Sequence, residues 1–110
     1  MIIDFENTEE KVEENFKGGN GKLIMRAADD GKVKIMRNIL TPGSSIGMHT
    51  HEGNCEVMYI IKGEITFVCD GKEETVRAGE VHYCPCGHTH CAENRTAEDA
   101  EFFAIVPEMK

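Results

Sequence analysis

Residues 43–63 read GSSIGMHTHEGNCEVMYIIKG. His49 and His51 stand two apart, and on a strand that spacing sets both imidazoles on one face. Glu56 follows His51 by five residues, an odd offset that an unbroken strand would send to the opposite face. The chain must therefore turn between them, and Glu52-Gly53-Asn54 supplies the turn chemistry. Beyond the turn, Val57 to Ile61 forms a nearly continuous apolar run that Gly63 ends. Glu56, Met58 and Ile60 share a face of that second strand. Two imidazoles and a carboxylate on one face suit a divalent transition metal with open coordination positions. The same spacing also accommodates surface histidines and a solvated carboxylate.

The pattern continues downstream as short strands broken by turns. Residues 65–69 and 73–77 flank Asp70-Gly71, a tight hairpin signal. Ala78-Gly79-Glu80 and Pro85-Cys86-Gly87 bracket an extended piece at 81–84, and 90–94 and 101–106 read as the last two strands. Upstream, 33–40 alternates. Val33, Ile35, Arg37 and Ile39 lie on one face, and Lys34, Met36, Asn38 and Leu40 on the other. A hairpin at Asp29-Asp30-Gly31 precedes it, led by a short run from Leu23. Strands of about five residues with turns every eight to twelve predict an all-β antiparallel sandwich or barrel. Only 4–17, DFENTEEKVEENFK, departs from this pattern. Val12 and Phe16, four apart, suggest a short acidic helix ended by Gly18 and Gly19.

A second histidine-bearing stretch, 79–94, reads GEVHYCPCGHTHCAEN. Together the two stretches resemble the paired motifs of the cupin family. Gly43, His49, His51, Glu56 and Gly63 fill every slot of the first, and Gly79, Pro85, Gly87, His90 and Asn94 every slot of the second. The resemblance spans about 33–106. It implies a jelly-roll barrel of antiparallel strands and a metal held by His49, His51, Glu56 and His90. On that reading the whole chain, 1–110, is one domain with an N-terminal extension over 1–32. Three imidazoles and one carboxylate suit Fe, Mn, Ni, Zn or Co without choosing among them.

Other polar residues near the motifs carry weaker expectations. His82 and His88 read as surface groups or as supports behind the ligands. His88, Glu52 and Tyr83 are the candidates for catalytic or substrate-touching groups. Cys84 and Cys86 could border the pocket, whereas Cys55, Cys69 and Cys91 read as small fillers. Met25, Met36, Met58, Ile60, Phe67, Phe102 and Phe103 are candidates for an apolar wall. Arg26, Arg37 and Arg77 are the cations that could grip an acid, and strand parity does not say which point inward.

Composition narrows the function classes. The chain has 110 residues, 40% hydrophobic and 29% charged, which fits one soluble globular domain. A net charge of -8 disfavours nucleic acid. No apolar run approaches the roughly 20 residues that span a bilayer. The acidic start, MIIDFENTEE, lacks the pattern of a secretory signal, so a cytoplasmic location with five free thiols is expected. Within the resemblance, the expected function is that of a metal-dependent dioxygenase, decarboxylase, isomerase or lyase acting on a small molecule. The alternatives are a non-catalytic small-ligand or metal sensor, and a metal that only braces the barrel. Exposed sheet edges predict a homodimer, with the strand over 23–28 as the donor.

Overall fold

A computed structural model describes residues 1–109. Among these residues ten strands build two antiparallel sheets, with one short 3-10 turn before the first strand and another between the first and the second. The strands are β1 (Lys11–Glu14), β2 (Lys22–Asp29), β3 (Val33–Leu40), β4 (Ser45–Thr50) and β5 (Glu56–Lys62). They continue as β6 (Glu64–Cys69), β7 (Lys72–Arg77), β8 (Val81–Cys84), β9 (Thr89–Glu93) and β10 (Ala100–Pro107). One sheet runs β1-β2-β3-β10-β5-β8 and the other β4-β9-β6-β7. The chain repeatedly passes from one sheet to the other, as in a jelly roll, which is the architecture the motifs imply.

The alternation in the sequence shows why the sheets pack. Along β10 the residues Ala100, Phe102 and Ala104 are fully buried, while the residues between them are not. One core cluster joins Leu23, Met36, Leu40, Met58 and Ile60 of the larger sheet to Ile46, Ile65, Phe67 and Ala92 of the smaller. Burial of side chains this size contributes roughly 1.5–3 kcal/mol each and drives the two faces together. On β3 the buried face is Met36, Asn38 and Leu40, the more polar of the two alternatives. The reason is that this face borders a cavity as well as the core.

Two expectations are corrected. The helix expected over 4–17 is absent. Phe5–Asn7 and Phe16–Gly18 are 3-10 turns, and Lys11–Glu14 between them is a strand paired with β2. Val12 is more than half exposed, so no shared apolar face with Phe16 forms to drive a helix. As a consequence β2 lies between β1 and β3. Within 23–28, residues 23–25 already pair with β1 and the whole segment pairs with β3, so only 26–28 keep a free edge, too short to serve as the donor strand. No helix among the described residues is long and apolar enough to cross a membrane.

Candidate metal centre

β4 carries His49, and His51 follows one residue past its end. Glu56 opens β5 in the other sheet, and the turn between them contains Gly53 at φ 73, a left-handed conformation that glycine adopts without strain. β9 runs antiparallel to β4 with His90 opposite His49. The loop before β9 is stitched to the first stretch by two backbone bonds: His51 N–H donates to the His88 carbonyl at 3.0 Å, and Gly87 N–H to the His51 carbonyl at 2.6 Å.

These elements bring His49, His51, Glu56 and His90 together. Nε2 of His90 lies 3.1 Å from Nε2 of His49, 3.1 Å from Nε2 of His51 and 3.2 Å from Oε1 of Glu56. Nε2 of His51 is 3.1 Å from the same Glu56 oxygen. The opposite ring nitrogens each have a partner. Nδ1 of His49 is 2.7 Å from the Gly47 carbonyl, and Nδ1 of His51 is 2.7 Å from Oδ1 of Asn54. Both partners are acceptors, so each Nδ1 donates and each Nε2 presents a lone pair. Asn54 thus has a second role beside its place in the turn.

The donor set fits a metal ion. Ligand atoms about 2.1 Å from one ion and at right angles stand about 3.0 Å apart, close to the separations observed. The four residues are half or more buried, with His90 only 1% exposed. Lone pairs and a carboxylate crowded together out of water need a positive charge among them. The titration behaviour points the same way. Burial works against the charged form of Glu56, yet the imidazoles of His51 and His90 beside it hold its carboxyl at about 2. The hydrogen bond to Glu56 raises His51, so a proton on His51 can supply that charge when no cation does. Burial lowers His49, with the Gly47 carbonyl opposing.

A cavity of about 350 Å³ reaches His49, His51 and Glu56, with His90 behind them. Met25, Met36 and Met58 line it as expected, joined by Ile46 and Val106. Ile60, Phe67 and Phe102 belong to the core instead, and Phe103 packs near Phe5, their rings 6.0 Å apart. None of the three arginines faces the cavity. Arg26 binds the Phe5 carbonyl, Arg37 pairs with Glu101 and Arg77 with Glu64. The cations that line it are Lys17, Lys32 and Lys34, of which the sequence places Lys34 on the strand over 33–40 and Lys17 at the end of the expected helix. Asn38 also lines it, and its buried Oδ1 has no hydrogen-bond partner.

Of the weaker candidates, Glu52 lies on the cavity wall. Tyr83 is 53% exposed on β8 and does not line the cavity. His88 pairs with Asp70 and is equally remote from it. Cys84 is buried with its thiol against the His88 carbonyl, and burial pushes it up to about 12, which keeps it protonated. Cys86 is exposed, and neither thiol lines the cavity. All five cysteines are free. Of the two alternatives for His82, the structure favours the support behind the four residues: it is 1% exposed and touches His90. Its parity with Cys84 along β8, and its place opposite Met58, are the signals that mark it as inward-facing.

Comparison with known proteins agrees with this geometry. A family model described as Cupin domain (Cupin_2) matches residues 36–106. An oxalate-binding protein of Thermotoga maritima is 36% identical over 112 residues, which cover 96% of this chain and 92% of that protein. The crystal structure of a predicted oxalate decarboxylase from Thermotoga maritima superposes with a TM-score of 0.91 at 32% identity, covering 98% of this chain and 99% of that one. A protein from Thermus thermophilus shares the fold, with a TM-score of 0.75 at 20% identity over 97% of this chain and 96% of its own.

Proposed function

The chain belongs to the cupin family, and from that premise we propose that it binds a small carboxylate anion, oxalate or a close analogue, at a divalent metal held by His49, His51, Glu56 and His90. The observation that carries this reading is the convergence of three Nε2 atoms and one carboxylate oxygen at the cavity wall, each free Nδ1 there tied to an acceptor. When bound, such an ion supplies Lewis acidity and an anchor for an anionic ligand. The chain's own residues supply the rest. Lys17, Lys32 and Lys34 bring ammonium groups to a wall that also carries Asp29, Glu52 and Glu108, so the main attraction for an anion is the metal itself. Met25, Met36 and Met58 give the wall an apolar stretch for the carbon part of a ligand. The unpartnered amide of Asn38 awaits a hydrogen-bonding group. The oxalate-binding relative supports this choice of anion.

Elemental analysis of protein purified without added metal tests the ion, and calorimetric titration of the metal-loaded and metal-free forms with oxalate tests the ligand. Binding only in the loaded form is expected, and equal binding in both would refute the reading. A second reading is catalysis of the dioxygenase, decarboxylase, isomerase or lyase type. Glu52, beside His51 on the cavity wall, favours it as the carboxylate placed to handle a proton. Release of carbon dioxide or formate from oxalate, or oxygen uptake with the iron form, decides between binding alone and turnover.

We also propose a homodimer, formed by a sheet face in place of the β2 edge. Tyr59, Val81, Tyr83 and Ile105 are exposed apolar side chains on neighbouring strands β10, β5 and β8, with Tyr59 opposite Val81. A contiguous patch of this kind marks an interaction surface, and a second copy presents the same patch to it.

A further inference from the structure

Two side chains outside the converging four are tied to them. His82 on β8 lies with its Nε2 3.0 Å from Nδ1 of His90. Its own Nδ1 is 2.5 Å from Oε1 of Glu74 on β7. The His82 ring stacks on Phe67, with centroids 3.7 Å apart and planes within 8°. Neither His82 nor Glu74 lines the cavity, and the Glu74 side chain is 54% exposed. The row therefore runs from the converging nitrogens through the barrel wall to the surface.

The hydrogens along the row follow by elimination. A carboxylate only accepts, so the proton between Glu74 and His82 sits on Nδ1 of His82. A neutral imidazole has one N–H, so Nε2 of His82 is bare and accepts. The proton between the two rings then belongs to Nδ1 of His90. That leaves Nε2 of His90 bare, aimed at the atoms of His49, His51 and Glu56. We infer that Glu74 and His82 are positioning residues that hold His90 in the single tautomer and ring orientation in which Nε2 can bind a cation. A carboxylate at the far end of such a row also raises the basicity of the ligating nitrogen. His49 and His51 reach the same state with one nearby acceptor each. His90, buried behind them, reaches it through a neighbouring ring, whose plane the stack on Phe67 sets.

The inference rests on the metal reading for its purpose, but the tautomers are readable without metal, so the two can fail separately. Long-range proton–nitrogen correlation of histidine-labelled, metal-free protein at about pH 8, above the ordinary imidazole value, should show Nδ1–H on both His82 and His90. A proton on Nε2 of His90 would overturn the assignment. Competition between the protein and a chelator for Zn2+ gives the second readout. His82→Phe keeps the stack on Phe67 but removes the acceptor, and should weaken Zn2+ binding by about 10–100-fold. His82→Gln restores an acceptor for His90 and should recover most of the loss. Unchanged Zn2+ affinity in a folded His82→Phe protein would overturn the proposal. If His82→Phe does not fold, Glu74→Ala at the exposed end decides: a mixture of His82 tautomers with weaker Zn2+ binding supports the row, and wild-type tautomers and affinity refute it. A wild-type protein that binds no Zn2+ defeats the metal reading, and the tautomers then decide the row alone.

Discussion

A Cβ built on Gly47 would lie 2.0 Å from the carbonyl oxygen of Lys17. Backbone therefore passes against backbone where the 3-10 turn Phe16–Gly18 crosses β4. The contact sets Lys17 at the cavity while the Gly47 carbonyl accepts from Nδ1 of His49. A side chain at Gly47 must push the turn away. Gly47→Ala is expected to cost about 1–3 kcal/mol, as overpacking does, and to weaken oxalate binding through displaced Lys17. Urea unfolding and ligand titration measure both effects, and an unchanged urea midpoint would contradict the close approach.

The metal reading predicts that His49→Ala combined with His90→Ala abolishes metal uptake and keeps a cooperative thermal transition. The core cluster includes neither residue, so the barrel has its own support. Elemental analysis and circular dichroism check the two halves of the claim. Loss of the fold with the metal would assign the ion a bracing role instead.

Acid should destabilise the metal-free protein in two stages. Burial holds His49 and His82 below the ordinary imidazole value, so the unfolded chain takes up protons first and stability falls as pH drops below about 6.5. His51 is raised, so its contribution is present below that value and is lost as pH climbs through its folded value. Glu56 is depressed from 4.5 to about 2, so its contribution is complete above 4.5 and is lost as pH falls through 2. The Glu56 contribution is on the order of 3 kcal/mol. Urea midpoints across the pH range check this, and Glu56→Gln should flatten the profile between pH 4.5 and 2.

Asn38 is 3% exposed, and beside its unpartnered Oδ1 its amide nitrogen meets only the Met36 sulfur at 3.8 Å. An unpaired buried amide costs about 1–3 kcal/mol. Asn38→Leu, close in volume, should raise the stability of the metal-free protein by that order and weaken oxalate binding to the loaded form. A variant that is more stable yet binds as well as wild type would remove Asn38 from the ligand's contacts.

Tyr59→Glu places a charge in the exposed apolar face of β10, β5 and β8. It should convert a dimer to a monomer by light scattering at micromolar concentration and leave metal content unchanged. A wild-type protein that is already monomeric would end the dimer proposal.

Much of this molecule was readable along the chain because its signals are local. The odd offset from His51 to Glu56 demanded a turn, and Glu52-Gly53-Asn54 provides it. Alternation and turn residues placed the strands from β5 to β10 to within about a residue at each end. The two motifs named the four residues that meet, and the structure brings them within reach of one ion. What stayed hidden depends on contacts between distant segments. Lys11–Glu14 is a strand because β2 offers it an edge, which no local periodicity records. The face that β3 buries, the outward pairing of Arg26, Arg37 and Arg77, and the inward place of Lys17, Lys32 and Lys34 are set by the twist and stacking of the two sheets. The row from Glu74 through His82 to His90 draws on three strands, and only their packing puts a surface carboxylate in line with a buried ring. Sequence determines the residue types that converge and the turns between them, since both follow from residue chemistry at short range. Tertiary structure decides which polar groups support them, since that depends on which faces meet.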